Sequence, residues 1–308
     1  MSETSESNLR LMEKICWYYY CEGLTQQHIA KILGLTRIKV IKFLEEGRQK
    51  GVVSFHVTRL NKSLSELERR MVKTFKLDEV VIIPTPKGDS DVTDMLAIAA
   101  ANYVGQRLSR ETTINIGYGK TTVRMLNRLA VLAEWTWSAV ALTGGVNVYL
   151  PNIESDVYKA KLHLYPAPLR LESVQLRDSL MNQREFRSII ELAKKASLTV
   201  FSPGGLTPEA TFIQQGLFEE NDYIYFKRLG AVGDILGHFV DKDGAIVDPD
   251  TDNRLITTSF DVLRTLGRTV MVSGGKDKTE VIKAALKLKL CKVFITDEKT
   301  ATDIMAKS

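Results

Sequence analysis

The sequence predicts an α/β protein in two parts: an N-terminal (winged) helix-turn-helix module, then a large α/β domain with a mostly parallel sheet and helices on both faces. Three observations carry the prediction. Residues 9–50 show helical apolar spacing broken by Gly23 and Gly34, the punctuation of a helix-turn-helix. From about residue 77, apolar runs of strand length alternate with helical patterns, which argues for a parallel α/β sheet. The net charge of +5 is also concentrated in one place. Between Gly23 and Arg59, Lys31, Arg37, Lys39, Lys42, Arg48, Lys50 and Arg59 stand against only Glu45 and Glu46. That short segment holds the excess of the whole chain, so a basic module is attached to a near-neutral body.

Composition sets the outer bounds. At 308 residues, with roughly 150 per domain, two domains are expected. Hydrophobic residues at 44% and charged residues at 26% exclude a disordered chain, a collagen-like fibre and a disulfide scaffold. No apolar run approaches the roughly 20 residues of a membrane-spanning helix. The polar start MSETSESNLR lacks the pattern of a secretory signal. Cys16, Cys21 and Cys291 are odd in number and form no CxxC pair. A cytoplasmic protein without a membrane partner, metal or cofactor is therefore expected.

In the first module, Leu9, Met12, Ile15, Cys16 and Tyr19 recur at helical spacing, and Gly23 ends that helix. Thr25 is placed to cap a second helix, about Gln26 to Leu33, that buries Ile29, Ala30 and Leu33. Gly34 supplies the positive φ of the turn. Thr36 caps a third helix to about Lys50, burying Ile38, Ile41 or Val40, and Leu44, with Arg37, Lys39, Lys42 and Arg48 outside. Ala30, Gly34 and Val40 have the spacing of a close helix crossing, a tight turn and a recognition-helix anchor. In that geometry the third helix enters the major groove with its N-terminal residues nearest the bases. Thr36, Arg37, Lys39 and Lys42 become candidates for base or phosphate contact with double-stranded DNA, and Gln26 and Gln27 for positioning phosphates. Gly51 and VVSFHV suggest a turn and a wing strand. The run Trp17-Tyr18-Tyr19-Tyr20 is expected in core and interface, because a helix presents those rings on different sides.

After a polar linker over 58–63, Leu64, Leu67, Met71 and Phe75 mark a connecting helix. The expected domains are 1–58, a linker and helix over 59–76, and a large α/β domain over 77–308. Strands are expected in DEVVIIP, TTINIGYG, SAVALTGG, LHLYPAP, SLTVFSPGG, RTVMVSGG and CKVFITD. Helices are expected over Asp91–Leu108, Thr121–Leu132, Ser155–Lys161, Glu185–Ala196, Thr207–Leu217 and Lys278–Leu288.

Ligands of such sheets bind outside the carboxyl ends of the strands. Here those ends are glycine-rich: Gly117-Tyr118-Gly119, Gly144-Gly145, Gly204-Gly205 and Gly274-Gly275. Gly117-Tyr118-Gly119-Lys120-Thr121-Thr122 reads as strand, glycine turn and a helix opening on hydroxyls, suited to an anion such as phosphate. It matches neither GxxxxGK[ST] nor GxGxxG, so a dinucleotide is not expected. Asp234, set among Gly230, Gly233 and Gly237, either binds sugar hydroxyls or caps a turn. Lys276 and Lys278 follow a further strand end where a phosphate would rest. Together they converge on a small phosphorylated polyhydroxy compound. Enzyme chemistry needs a positioned acid and base. His28, His56, His163 and His238 are scattered, and no carboxylate pair stands at the strand ends, so no catalytic residue is assigned.

Ile15 to Tyr20 with Gly23-Leu24-Thr25-Gln26, Ile29-Ala30 and Leu33 to Arg37 resemble the SorC family of bacterial sugar-responsive transcriptional regulators. So do Gly117–Thr122, Thr143 to Val146, Pro166 to Leu169, Gly230–Gly237 with Asp241–Gly244, and Gly274–Lys278 leading to Thr296-Asp297. The pattern is particularly similar to the autoinducer-2 operon regulator branch. The resemblance implies a Rossmann-like effector domain similar to sugar-phosphate isomerases and glucosamine-phosphate deaminases, so an enzyme of that type acting on sugar phosphates is the alternative function. It also implies homo-oligomers, dimers or tetramers, whose operator affinity responds to a phosphorylated sugar or polyol-like effector. On the matching positions Gly117, Tyr118, Gly119, Lys120, Thr121, Thr122 and Gly144 would line the effector pocket, with Asp234, Leu236 and Lys278 completing it. Ser202-Pro203-Gly204-Gly205 departs from the family's Val-Gly-Ile-Gly type of strand end.

Overall fold

Apolar spacing and capping chemistry account for the first three helices. The computed structural model describes residues 3–53, 62–86, 91–132, 136–145 and 160–306, in two units, Met1–Leu60 and Asn61–Ser308. The first contains α1 (Glu3–Tyr20), α2 (Gln26–Leu33) and α3 (Arg37–Gln49). Thr25 Oγ1 accepts the His28 N–H and Thr36 Oγ1 that of Lys39, each at 3.2 Å, so both N-caps stand where expected. Gly34 closes α2 at φ +65°. Met12, Ile15, Cys16, Ile29, Ala30, Val40, Phe43 and Leu44 form the core.

One expectation here is corrected, the burial of Ile38. Ile38 is 79% exposed and Ile41 40%, so the buried line of α3 is Val40, Phe43 and Leu44. Anchoring at Val40 fixes the rotation of the helix and turns Ile38 outward. Trp17 is 59% exposed, its indole N–H donating to Glu22, whereas Tyr18, Tyr19 and Tyr20 pack half-buried against the core. The wing strand, with His56, falls from residue 54 onward outside the described residues.

Near-continuous apolar runs dictate the second unit, because a strand covered on both faces needs no polar side. Its strands are β1 (Glu79–Ile83), β2 (Thr113–Ile116), β3 (Trp137–Ala141), β4 (Ala160–His163), β5 (Leu198–Phe201), β6 (Gly204–Gly205), β7 (Gly233–Ile235), β8 (His238–Val240), β9 (Arg268–Val272) and β10 (Val293–Asp297). Seven form one parallel sheet, β1-β10-β9-β5-β2-β3-β4; β6-β7-β8 form a small antiparallel one. Alternate residues feed two cores: Val270, Val272, Val293 and Ile295 on one face, Met271 and Phe294 on the other.

The helix α4 (Lys62–Phe75) belongs to this unit, with Leu64 and Met71 buried in its core. Every expected strand run contains a strand, but two expected helices are corrected. Ala160 and Lys161 lie in β4, paired with Trp137 and Ser138, because the sheet offered an edge; residues 155–159 lie outside the described residues. Only Thr211–Gln214 of the Thr207–Leu217 helix is helical, since Thr207-Pro208-Glu209-Ala210 closes a turn first. Helices at Val174–Met181, Glu220–Arg228 and Glu298–Ala306, and the small sheet, were not foreseen. No helix among the described residues is long and apolar enough to cross a membrane.

Strand order decides where a ligand can sit. From β2 the chain moves through β3 to β4 on one side, then crosses to β5, β9 and β10 on the other. The direction reverses between β2 and β5, and a crevice outside their carboxyl ends is the expected binding place.

Candidate functional site

At the end of β2 the Gly117 N–H still pairs with the Val200 carbonyl at 2.8 Å, after which the chain leaves the sheet. Gly119, at φ +137°, turns it into the helix Lys120–Leu132, whose Val123 N–H bonds to the Gly119 carbonyl. The Thr122 hydroxyl donates to that same carbonyl at 2.8 Å. Thr121 and Thr122 are buried, while Lys120 is exposed and reaches the Glu209 carbonyl at 3.5 Å.

Tyr118 and Asp234 are 116 positions apart in sequence, yet the Tyr118 hydroxyl donates to Asp234 Oδ2 at 2.5 Å. The Gly237 N–H donates to the same oxygen at 3.0 Å. Asp234 Oδ1 is buried and accepts no hydrogen bond from any described residue. This oxygen faces Gly204, where an added Cβ would lie 2.1 Å from it. Burial raises the Asp234 carboxyl above the usual range, opposed by Tyr118, Gly237, Lys278 and His238.

Lys278 ends the 3₁₀ turn Lys276–Lys278 after β9. Burial lowers its ammonium below the ordinary lysine range, Asp234 opposes this and Lys120 adds to it. A Cβ at Gly205 would touch Asp277 and Lys278, so the lysine runs past a glycine strand end. Leu236, at φ +56°, is buried, and a Cβ at Gly117 would meet its Cδ2 at 2.6 Å.

Tyr118, Asp234, Leu236, Lys278 and the Gly117–Thr122 turn thus come together at the β2/β5 switch point. Gly144 is placed differently: its N–H pairs with the Ile256 carbonyl at 2.7 Å and a Cβ would strike Pro168 O. Gly144 therefore packs closely against the Ala167-Pro168 backbone.

Sequence reasoning named Gly204, Gly205 and Gly237 only as glycines near strand ends and His238 only as a scattered histidine, and missed how each supports this cluster. Gly204 and Gly205 form β6 against β7 and make room for the carboxylate, although Pro203 precedes them. Gly237 gives Asp234 a donor. His238, buried, holds Asp252 through Nδ1 at 2.6 Å and the Thr258 carbonyl through Nε2 at 3.1 Å, pinning the strand after the Asp234 hairpin. The run Asp234-Ile235-Leu236-Gly237-His238 held the available signal: a glycine closing a hairpin beside a potential carboxylate partner.

On the first unit, Gln27, Thr36, Arg37, Lys39 and Lys42 are exposed and Gln26 is half-buried. Arg37 Nε donates to Gln26 Oε1 at 3.4 Å, and both line a shallow concavity with Tyr19, Gly23, Leu24, Thr25 and Gln27. Lys42 shares Glu46 with Lys50 in loose ion pairs of 3.9 and 3.8 Å. Exposed pairs of this kind hold little energy, so the cations remain available to an anionic partner.

A family model described as "Putative sugar-binding domain" matches residues 60–306. The transcriptional regulator LsrR of Escherichia coli strain SMS-3-5 is 33% identical over 309 aligned positions, covering 99% of this chain and 97% of that protein. LsrR of Enterobacter sp. strain 638 is 31% identical, covering 96% and 93%. Among solved structures, the full-length sorbitol operon regulator SorC from Klebsiella pneumoniae superposes with a TM-score of 0.69 at 22% identity, covering 96% of this chain and 98% of that one. These relatives are named as regulators, and a regulator rather than an enzyme is what this chain is. With the two-unit architecture and the glycine-lined switch point in place, the chain belongs to the SorC family of sugar-binding transcriptional regulators.

Proposed function

We propose that this protein is a cytoplasmic, homo-oligomeric regulator, a dimer or tetramer, that binds operator double-stranded DNA through residues 1–58. Gln26 and Gln27 position phosphates, and Thr36, Arg37, Lys39 and Lys42 contact the groove and its edges. Residues 77–308 form the effector-binding and oligomerising part, with 59–76 connecting the two. A small phosphorylated sugar or polyol-like effector sets the affinity for DNA. Its phosphate lies on the Gly117–Thr122 turn, where backbone N–H groups and the opening of a helix favour an anion. Lys120 and Lys278 add positive charge. Asp234 binds sugar hydroxyls, and Leu236 packs on the carbon skeleton.

The observation that carries this reading is the buried Asp234 carboxylate, which keeps one oxygen without a donor while Tyr118 and Gly237 fix the other. A buried acceptor left open is costly unless something fills it, and a hydroxyl is the natural donor. Lys278 supports the reading too, since its depressed ammonium would be stabilised by a phosphate dianion.

The test is thermal melting of the full chain against matched phosphorylated and free sugars. At least one phosphosugar should raise the melting temperature and change retention of operator DNA, with its free sugar inactive at the same concentration. Absence of any shift across the phosphosugars would sink the pocket assignment.

A further inference from the structure

Two aliphatic side chains break the polar pattern on the outward face of α3: Ile38, 79% exposed, and Ile41, 40% exposed. At 3.6 residues per turn, Ile38 lies about half a turn from the buried line of Val40, Phe43, Leu44 and Gly47. It is the second residue of the helix, directly after the Thr36 cap and Arg37. Thr36, Arg37, Lys39 and Lys42 around it are exposed, so an apolar tip stands inside a cationic collar.

Scattered surface aliphatics are ordinary. This one sits where a recognition helix comes nearest the base edges. A polar face built only to meet phosphates has no use for a bare isoleucine there. The major-groove edge of DNA presents one apolar group, the C5 methyl of thymine. A β-branched side chain holds few rotamers, so little freedom is lost when it is fixed against that methyl.

We propose that Ile38 is a specificity-determining residue that reads a thymine methyl in each half of the operator. This rests on the DNA-binding reading above and adds to it the chemical group being recognised.

The experiment uses the full-length protein and a duplex enriched by it from random-sequence DNA. Each thymine is replaced in turn by deoxyuridine, which removes the C5 methyl and leaves every hydrogen-bonding group in place. Wild type should lose about fourfold in affinity per half-site at one thymine, the worth of one methyl-sized group withdrawn from water. Ile38→Ala should bind the thymine and uracil duplexes equally at that position, while melting as wild type does. The inference is overturned, with DNA binding intact, if no thymine methyl matters to wild type. It is overturned equally if Ile38→Ala keeps the full discrimination, or if Ile41→Ala removes it instead. Failure to enrich any duplex defeats the DNA-binding reading itself, and this inference with it.

Discussion

Asp234 is a fully buried carboxyl of the second unit with one oxygen left without a donor among the described residues. Desolvation outweighs its hydrogen bonds and neighbouring charges, so the fold favours the protonated form relative to the unfolded chain. Stability gained from that form is full below the ordinary carboxylate range and is lost as pH rises through the raised value. Wild type should therefore lose stability against Asp234→Asn as pH climbs from acid toward neutral. Urea midpoints of both proteins across that range would show it, and a difference independent of pH would contradict it. Gly204 is bound to the same group: a methyl there would sit 2.1 Å from Oδ1, so Gly204→Ala must displace the carboxylate or the strand. A loss of about 1–3 kcal/mol in unfolding free energy is expected, with the effector-induced melting shift abolished. On the first unit, Arg37→Ala with Lys39→Ala should weaken operator binding. If both meet phosphates, the slope of log affinity against log salt should fall by nearly 2, since each phosphate contact contributes about 0.9. An unchanged slope would move those contacts elsewhere.

Elements in this chain are set by short-range chemistry where that chemistry is strong. The α2–turn–α3 segment follows from Thr25, Gly34 and Thr36, each caught making the cap or turn its residue type favours. Gly34 has nothing within 4 Å of an added Cβ, so Gly34→Ala tests conformation alone. At φ +65° a loss of about 1–2 kcal/mol is expected in calorimetric unfolding. Where short-range chemistry is weak, neighbours decide. The apolar triplet Ile38, Val40 and Ile41 fits more than one helix phase, and packing chose Val40. Ala160 and Lys161 carry no strand preference of their own and became strand by pairing with β3.

For the molecule as a whole, the proposed regulation is a coupling between an operator site and an effector site. Such coupling is reciprocal: if the effector changes operator affinity by some factor, saturating operator must change effector affinity by the same factor. A factor of about 5 to 150 is expected, measurable by titrating each ligand in the presence and absence of the other. Equal effector affinities with and without DNA would show that the two sites are not coupled.

The strand–helix alternation, the capped recognition helix, the concentrated positive charge and the glycine-lined strand ends could all be read from residue order, because each depends on local periodicity or a single residue's backbone preference. Strand order, and with it the reversal between β2 and β5, could not, because pairing joins segments far apart in the chain. For the same reason only the folded structure brought Tyr118 to Asp234, hollowed Gly204 for its open oxygen, used His238 as a pin and turned Ile38 outward. Burial and contact across long separations are properties of packing, on which local sequence is silent.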